Sequence, residues 1–412
     1  MAMGFFSEWR KLPISLSELC INTTLRCGQS FRWHKVPDND EWRCVLYGRL
    51  VSLKQDPTHL HYRTYMNPKL ASSTNGESED TTLDIIKHYF NLTSNLTTLY
   101  AQWSSSDPNF RKKASQFTGI RILRQDAWEA LISFICSSNN NIARIGQMVE
   151  KLCLNYGVHV ADVDGREYHD FPPPERLAED EGVEARLRDL GFGYRAKYIY
   201  KTAVIVAKQK EAGWLNSLRN PEAPAFGSEV ATEQEEEMPP EGRSGYREAH
   251  EKLLELQGVG PKVADCVSLM GLGWGESVPV DTHVWQIAQR DYKFGKGSHK
   301  SLTKATYDAV GNHFRKLWGK EAGWAHSVLF TADLKTFSDR LVATTKQEKV
   351  EVKVKEEETN GAEITATEIE TNVSLKRSAD EDKIKLEPDD KKVKLVTDST
   401  TGTRRSSRRL RR

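Results

Sequence analysis

The sequence predicts an α+β protein. An antiparallel β-rich region is expected over residues 1–115, a mainly helical body over 116–340, and a disordered charged tail over 341–412. Three observations carry this expectation: apolar residues alternate between Trp42 and Tyr62, they recur at helical spacing from about residue 120, and no Phe, Trp or Tyr follows position 340.

The segments EWRCVLYGRLVSLK and THLHYRTY carry the alternation (Trp42, Cys44, Leu46; Leu60, Tyr62), which is the period of half-buried antiparallel strands. Farther on, Trp128, Leu131, Ile132 and Ile135 fall at i, i+3, i+4 and i+7, one face of a helix. Ile142, Ile145 and Val149, and then Ile199, Ala203 and Val206, repeat the pattern. Residues 219–245, RNPEAPAFGSEVATEQEEEMPPEGRSG, are acidic and rich in Pro and Gly, so a disordered insertion between helices is expected there. The tail lacks the apolar surface needed to order itself. It ends in the basic clusters KKVKL and RRSSRRLRR, which fit a nuclear-import signal or a polyanion-binding arm, with a plainly solvated tail as the alternative.

A chain of 412 residues with 38% hydrophobic content, ten Trp, thirteen Tyr and fourteen Phe can bury a sizeable core. The net charge of +1 gives no bulk argument for a polyanionic partner. Cysteines at 20, 27, 44, 136, 153 and 266 form no CxxC pair, so neither a metal cluster nor a disulfide framework is expected, and a reducing intracellular compartment fits. There is no basic leader with an apolar core and no 18-residue apolar run; neither secretion nor a membrane partner is expected.

The stretch LQGVGPKVADC, residues 256–266, holds the densest chemistry. Ala249, Leu253 and Leu256 share one helical face, and Val263, Ala264, Val267 and Met270 share another. Gly258 and Gly260 therefore sit in a tight turn between two helices (about 248–270), with Pro261 as the first residue of the second. Glycines let main-chain N–H groups come close to a ligand, and at a helix N-terminus those groups suit a phosphate. Such a turn is equally at home as a simple connector. Lys262 is the unusual member. A free lysine is neutral in roughly one molecule in a few thousand at pH 7. The positive end of the helix and partial desolvation both disfavour the ammonium, which would suit an amine nucleophile; a phosphate counter-charge is the plainer role. In VPVDTHVWQIAQRDY, residues 278–292, Asp281 reads as the N-cap of the following helix. A capped carboxylate stays ionised and could stabilise positive charge beside the amine.

With CGQSFRW (27–33), FICSSNNNIARI (134–145), LGFGYRAKYI (190–199) and AGWAHSVLFTADL (322–334), these segments make the chain resemble the eukaryotic 8-oxoguanine DNA glycosylase/lyases of the helix-hairpin-helix superfamily, from about Trp9 to Thr336. The resemblance implies an N-terminal domain like that of TATA-binding protein and damaged double-stranded DNA as partner. It also implies base flipping with Lys262 attacking C1′ and Asp281 stabilising the developing charge. Gly28 matches the glycine whose carbonyl accepts from N7–H of the oxidised base. Cys266, Met270 and Phe330 match the base pocket, while Asn139, Arg144 and Arg195 match readers of the orphaned cytosine. Tyr194 matches the wedge that fills the stack. Gly258 and Gly260 match the phosphate-gripping turn, and His283 a phosphate contact. His326 stands where animal members have a glutamine, a fungal-like variation. A neutral imidazole offers one donor and one acceptor on opposite sides of its ring, where an amide offers both together. The lack of a C-terminal cysteine cluster separates the chain from the iron–sulfur relatives. No cofactor and no catalytic metal is expected. A monomer in the nucleus, with the mitochondrion as a second address and an import receptor bound through the tail, completes the expectation. The alternatives are a noncatalytic DNA-binding hairpin protein and a related glycosylase with a different lesion preference.

Overall fold

A computed structural model describes residues 4–66, 81–229, 237–295 and 301–337. The tail over 341–412, with its basic clusters, lies outside the described residues.

The N-terminal region is an antiparallel sheet. Strands β1 (Phe5–Phe6), β2 (Arg10–Pro13), β3 (His34–Lys35), β4 (Trp42–Leu46), β5 (Arg49–Gln55) and β6 (His59–Met66) are ordered β1-β6-β5-β4-β3, with β2 also on β6. Strands β4 and β5 turn through Tyr47 and Gly48, both at positive φ (50° and 74°), with Leu46 opposite Arg49. This is the two-residue turn whose twist matches that of the strands. The alternation read from the sequence is real: Trp42, Cys44 and Leu46 join Val51, Leu53, Leu60 and Tyr62 in a core closed by Ile85, Ile86 and Tyr89 of helix α1 (Thr82–Tyr89). Even so, β4 is buried along its whole length. Its other face is covered by the hairpin β7 (His159–Val163) and β8 (Arg166–His169), where Val160, Ala161 and Tyr168 pack on Val45 and Leu50.

The body is built from helices α2 (Leu96–Ser106), α3 (Ala127–Cys136), α4 (Ile142–Tyr156), α5 (Gly182–Asp189), α6 (Arg195–Val204), α7 (Ser244–Leu254), α8 (Pro261–Met270), α9 (Thr282–Tyr292), α10 (Lys304–Trp318) and α11 (Ala322–Asp333). Every residue of α3 is buried, so it is the central post. Asn141 caps α4 through the N–H of Arg144, and Asp126 caps α3 through that of Glu129; each satisfies a backbone donor the helix leaves open. Among the described residues no helix is long and apolar enough to cross a membrane.

Two expectations about chain organisation change. A boundary at 115 does not mark a break in packing: Trp103 of α2 lies 6.2 Å from Trp324, and Phe110 lies 6.1 Å from Trp318, so these residues belong to the helical core. The stretch 219–245 is not a disordered insertion in its described part; only 230–236 lie outside the description. Asn220 bonds Leu272 and Gly273 through its backbone N–H and its side chain, both at 2.9 Å. Phe226 packs its ring, tilted by 40°, 4.9 Å from that of Tyr47. Buried Arg243 forks onto Glu276 at 2.9 and 3.0 Å and reaches Glu222 at 3.0 Å. Composition pointed the other way because a few long-range polar contacts, invisible in a local window, hold the segment.

Candidate active site

The turn between α7 and α8 takes the conformation its glycines allow. Gly258 has φ of 77°, and a Cβ there would lie 2.6 Å from the Cβ of Tyr198, so conformation and space both demand glycine. Gly260 has nothing within 4 Å of its missing Cβ; the backbone is open to an approaching group. Pro261 opens α8 at its first position.

Lys262 follows, and its amine points off the helix start toward α3. Its Nζ lies 3.4 Å from the Ser137 hydroxyl and 5.1 Å from the centre of the Phe134 ring. Asp281 caps α9: one carboxylate oxygen accepts from the N–H groups of His283 and Val284, both at 2.9 Å. Lys262 and Asp281 line one cleft, whose non-protein space is about 440 Å³ with the open solvent at its mouth included. From α8 it also receives Cys266 and Met270, from α11 His326 and Phe330, and from the chain's beginning Gly28. The cleft therefore joins seven of the residues singled out in the sequence.

His326 is 5% exposed, and neither ring nitrogen has a hydrogen-bond partner. Burial lowers its pKa to about 4; nearby Lys262 pushes the same way and Asp281 opposes. It is thus a neutral imidazole at neutral pH. A buried polar group without a partner costs about 1–3 kcal/mol. Two orphaned nitrogens at a cleft wall are therefore unmet hydrogen-bonding capacity that a ligand could fill. Burial also pushes the Cys266 thiol up to about 11, against the pull of Lys262, so it lines the cleft as an uncharged thiol. Phe330 lies 6.5 Å from His326 and 5.5 Å, edge to face, from His283. His283 itself is outside the cleft, with its Nε2 3.1 Å from the Asp333 carboxylate.

Gly28 takes φ of 84°, and a Cβ there would press on Ile142 at 3.0 Å. Its placement is fixed by Gln29, which the sequence reading missed although it lies within CGQSFRW. The Gln29 amide donates to the Arg121 carbonyl (2.8 Å) and accepts from Leu123 N–H (3.0 Å), and its own carbonyl accepts from Gln125 (2.9 Å). Phe134 and Ser137, contacts of Lys262, were also missed; they look like ordinary members of a core helix and its end.

Asn139, Tyr194 and Arg195 meet at the end of α3, beside the cleft and not in it. Asn139, exposed and at φ of 49°, follows the Ser137–Ser138 end of α3. Arg195 is almost buried and turns its guanidinium inward: Nε donates to Ser138 O at 3.2 Å, and Nη2 to Ser138 O and to Asn139 O, the latter at 3.1 Å. Tyr194 is 47% exposed, lies under the Arg195 guanidinium at 4.6 Å, and donates to Ser138 O at 3.0 Å. Arg144 is exposed on the first turn of α4. The arrangement can present an amine, a fixed carboxylate and an aromatic-lined slot, flanked by exposed aromatic, amide and guanidinium groups. Such a site can accept a planar polar group swung out of a longer polymer.

Two family models match the chain in tandem: the N-terminal domain of 8-oxoguanine DNA glycosylase over residues 11–131, and the HhH-GPD superfamily of base excision DNA repair proteins over 132–318. The N-glycosylase/DNA lyase of Saccharomyces cerevisiae is 36% identical over 357 residues, covering 79% of this chain and 86% of that protein. N-glycosylase/DNA lyase OGG1 of Arabidopsis thaliana is 37% identical over 331 residues, covering 79% and 80%. Among solved structures, MBOgg1 in complex with a low-affinity DNA ligand superposes with a TM-score of 0.61 at 26% identity, covering 81% of this chain and 98% of that one.

Proposed function

From the premise that this chain belongs to the N-glycosylase/DNA lyases of the HhH-GPD superfamily, we propose the chemistry that its cleft performs on DNA. The protein is a bifunctional DNA glycosylase/lyase of base excision repair that acts on 8-oxoguanine. The observation that carries the residue-level reading is the joint presence of Lys262 and Asp281 in one cleft with an unpartnered imidazole.

In this reading the damaged nucleotide leaves the stack and its base enters between Phe330 and Cys266. The Lys262 amine adds to C1′ as the bond to the base breaks and the bonding pair leaves with the base. Asp281 stabilises the positive charge that grows on the sugar, a role suited to a carboxylate already fixed by two N–H groups. Loss of a proton and opening of the ring give the Schiff base. Removal of a C2′ proton then expels the 3′ phosphate. The Gly28 carbonyl accepts from N7–H of the oxidised base; guanine would set a lone pair against it. His326 supplies a single donor or acceptor to the base edge, and formamidopyrimidines are the related lesions this edge would also admit. Gly258, Gly260 and His283 hold the phosphates, and Asn139, Arg144, Tyr194 and Arg195 face the orphaned cytosine and the gap.

Borohydride trapping on a duplex with 8-oxoguanine opposite cytosine tests this directly. The chain gives a covalent adduct and Lys262→Gln gives none; an intact adduct with the variant refutes the role of Lys262. A panel of damaged bases tests the lesion range. The reading also takes the protein to act as a monomer and to enter the nucleus through its basic tail, with the mitochondrion as a second address; truncation after residue 340 should alter nuclear accumulation while excision on short duplexes persists.

A further inference from the structure

Three residues beyond Lys262 on α8 lies Asp265, 1% exposed and outside the cleft. It collects hydroxyl donors from three other elements. Tyr246 of α7 donates to Oδ1 at 2.6 Å, Ser277 donates to Oδ1 at 2.8 Å and to the Asp265 main-chain carbonyl at 2.9 Å, and Tyr307 of α10 donates to Oδ2. The Tyr307 oxygen in turn accepts from the backbone N–H of Val280 at 3.4 Å. Burial, and then the charge on Asp265, push both tyrosines well above the usual phenol range, so their hydroxyls keep the protons they donate.

The connectivity matters more than the burial. Asp265 is three residues from Lys262 on the same helix, and Ser277 and Val280 are the first and last of the four residues that lead into Asp281. The carboxylate thus pins the start of this segment through Ser277 and, through Tyr307, its last residue before Asp281. A side chain that tied α8 to α7 or α10 alone would stabilise the fold without bearing on the chemistry. This one spans the two elements that carry the amine and the anion.

We propose that Asp265 and Tyr307 are positioning residues that fix the separation of Lys262 and Asp281 across the cleft, by clamping the 277–281 segment to the helix that carries Lys262. The proposal rests on the assignment of Lys262 and Asp281 given above. Small displacements of reacting groups cost large factors in rate, so loss of the Tyr307 hydroxyl should be felt in catalysis and not in DNA binding.

The test is a double-mutant cycle on the full chain. Single-turnover excision of 8-oxoguanine opposite cytosine is followed for the wild type, Tyr307→Phe, Asp281→Asn and the double variant. Affinity for a duplex bearing a non-cleavable abasic analogue is measured in parallel. Tyr307→Phe should lower the excision rate about tenfold, leave affinity unchanged, and have less than about a twofold effect once Asp281 is already Asn. Tyr246→Phe removes a hydroxyl from the same carboxylate but leaves the Ser277 and Tyr307 bonds to it in place; it should lower the melting temperature and leave the rate within about twofold. If Tyr307→Phe does not fold, Ser277→Ala takes its place in the same cycle. A wild-type rate for Tyr307→Phe, or an equal loss in the Asp281→Asn background, overturns the proposal. A wild-type chain that excises nothing sinks the glycosylase reading itself, and the positioning role with it.

Discussion

Substituting His326 isolates the electrostatic cost of an unpaired imidazole in the cleft. Its folded-state pKa is about 4, depressed by burial, against about 6.5 in an unfolded chain. The sign follows from which state binds the proton. Between these values the unfolded chain is protonated and the folded one is not, so acid draws the protein toward unfolding. At pH 5 the unfolded imidazole is almost fully charged and the folded one about a tenth so, which destabilises the fold by about 2 kcal/mol relative to pH values well above 6.5. At pH 7 the same difference is only a few tenths of a kcal/mol. In His326→Gln the proton-linked loss disappears, while any cost of burying the amide is the same at both pH values and cancels. His34 and His88, also depressed to about 4 by burial, are common to both proteins and cancel as well. Urea unfolding followed by tryptophan fluorescence at pH 7 and pH 5 reads the effect. The wild type should lose about 2 kcal/mol more than the variant between the two. A difference below about 0.5 kcal/mol would mean that the ring already has a partner, and the account of its unmet hydrogen bonds would fall.

Gly258→Ala adds a Cβ 2.6 Å from the Tyr198 side chain at a backbone φ of 77°; a loss of at least about 1 kcal/mol is expected, with weaker binding to undamaged duplex, and a melting curve like the wild type's would show that the turn tolerates a side chain. Arg195→Ala frees the Ser138 and Asn139 carbonyls; excision opposite cytosine should fall while excision opposite adenine changes less, narrowing the preference about tenfold, and a uniform loss against both bases would assign Arg195 to the fold alone.

The parts of the site that follow local rules were legible in the sequence. A Gly-x-Gly turn before a proline, and an aspartate before an amphipathic run, state their geometry within a few residues, and Gly258, Pro261 and Asp281 stand as expected. Strands β4 and β5 were legible from their alternation, though the Tyr47-Gly48 turn between them was not singled out. The β7–β8 hairpin carried an equally local sign, Asp164-Gly165 at φ of 52° and 75°, but its strands are short and polar on one side, and the expectation of a mainly helical body hid it. Other features had no local sign. Whether Arg195 turns out to solvent or in to two carbonyls depends on where the end of α3 lies. Asp265 reads as one polar residue in an apolar helix until Ser277 and Tyr307 arrive from elsewhere in the chain. Residues 219–229 and 237–245 misled because their anchors, Gly273 and Glu276, are distant in any composition window.

The cleft draws on Gly28 near the beginning of the chain and on Phe330 close to the last described residue. Between them lies almost all of the described sequence, so its walls meet only after Phe330 has been synthesised. A partial chain emerging from a ribosome can carry Lys262 and even its helix, but not the slot that brings a nucleotide to the amine. Strand-cutting chemistry is in this way withheld from every chain that stops short of Phe330.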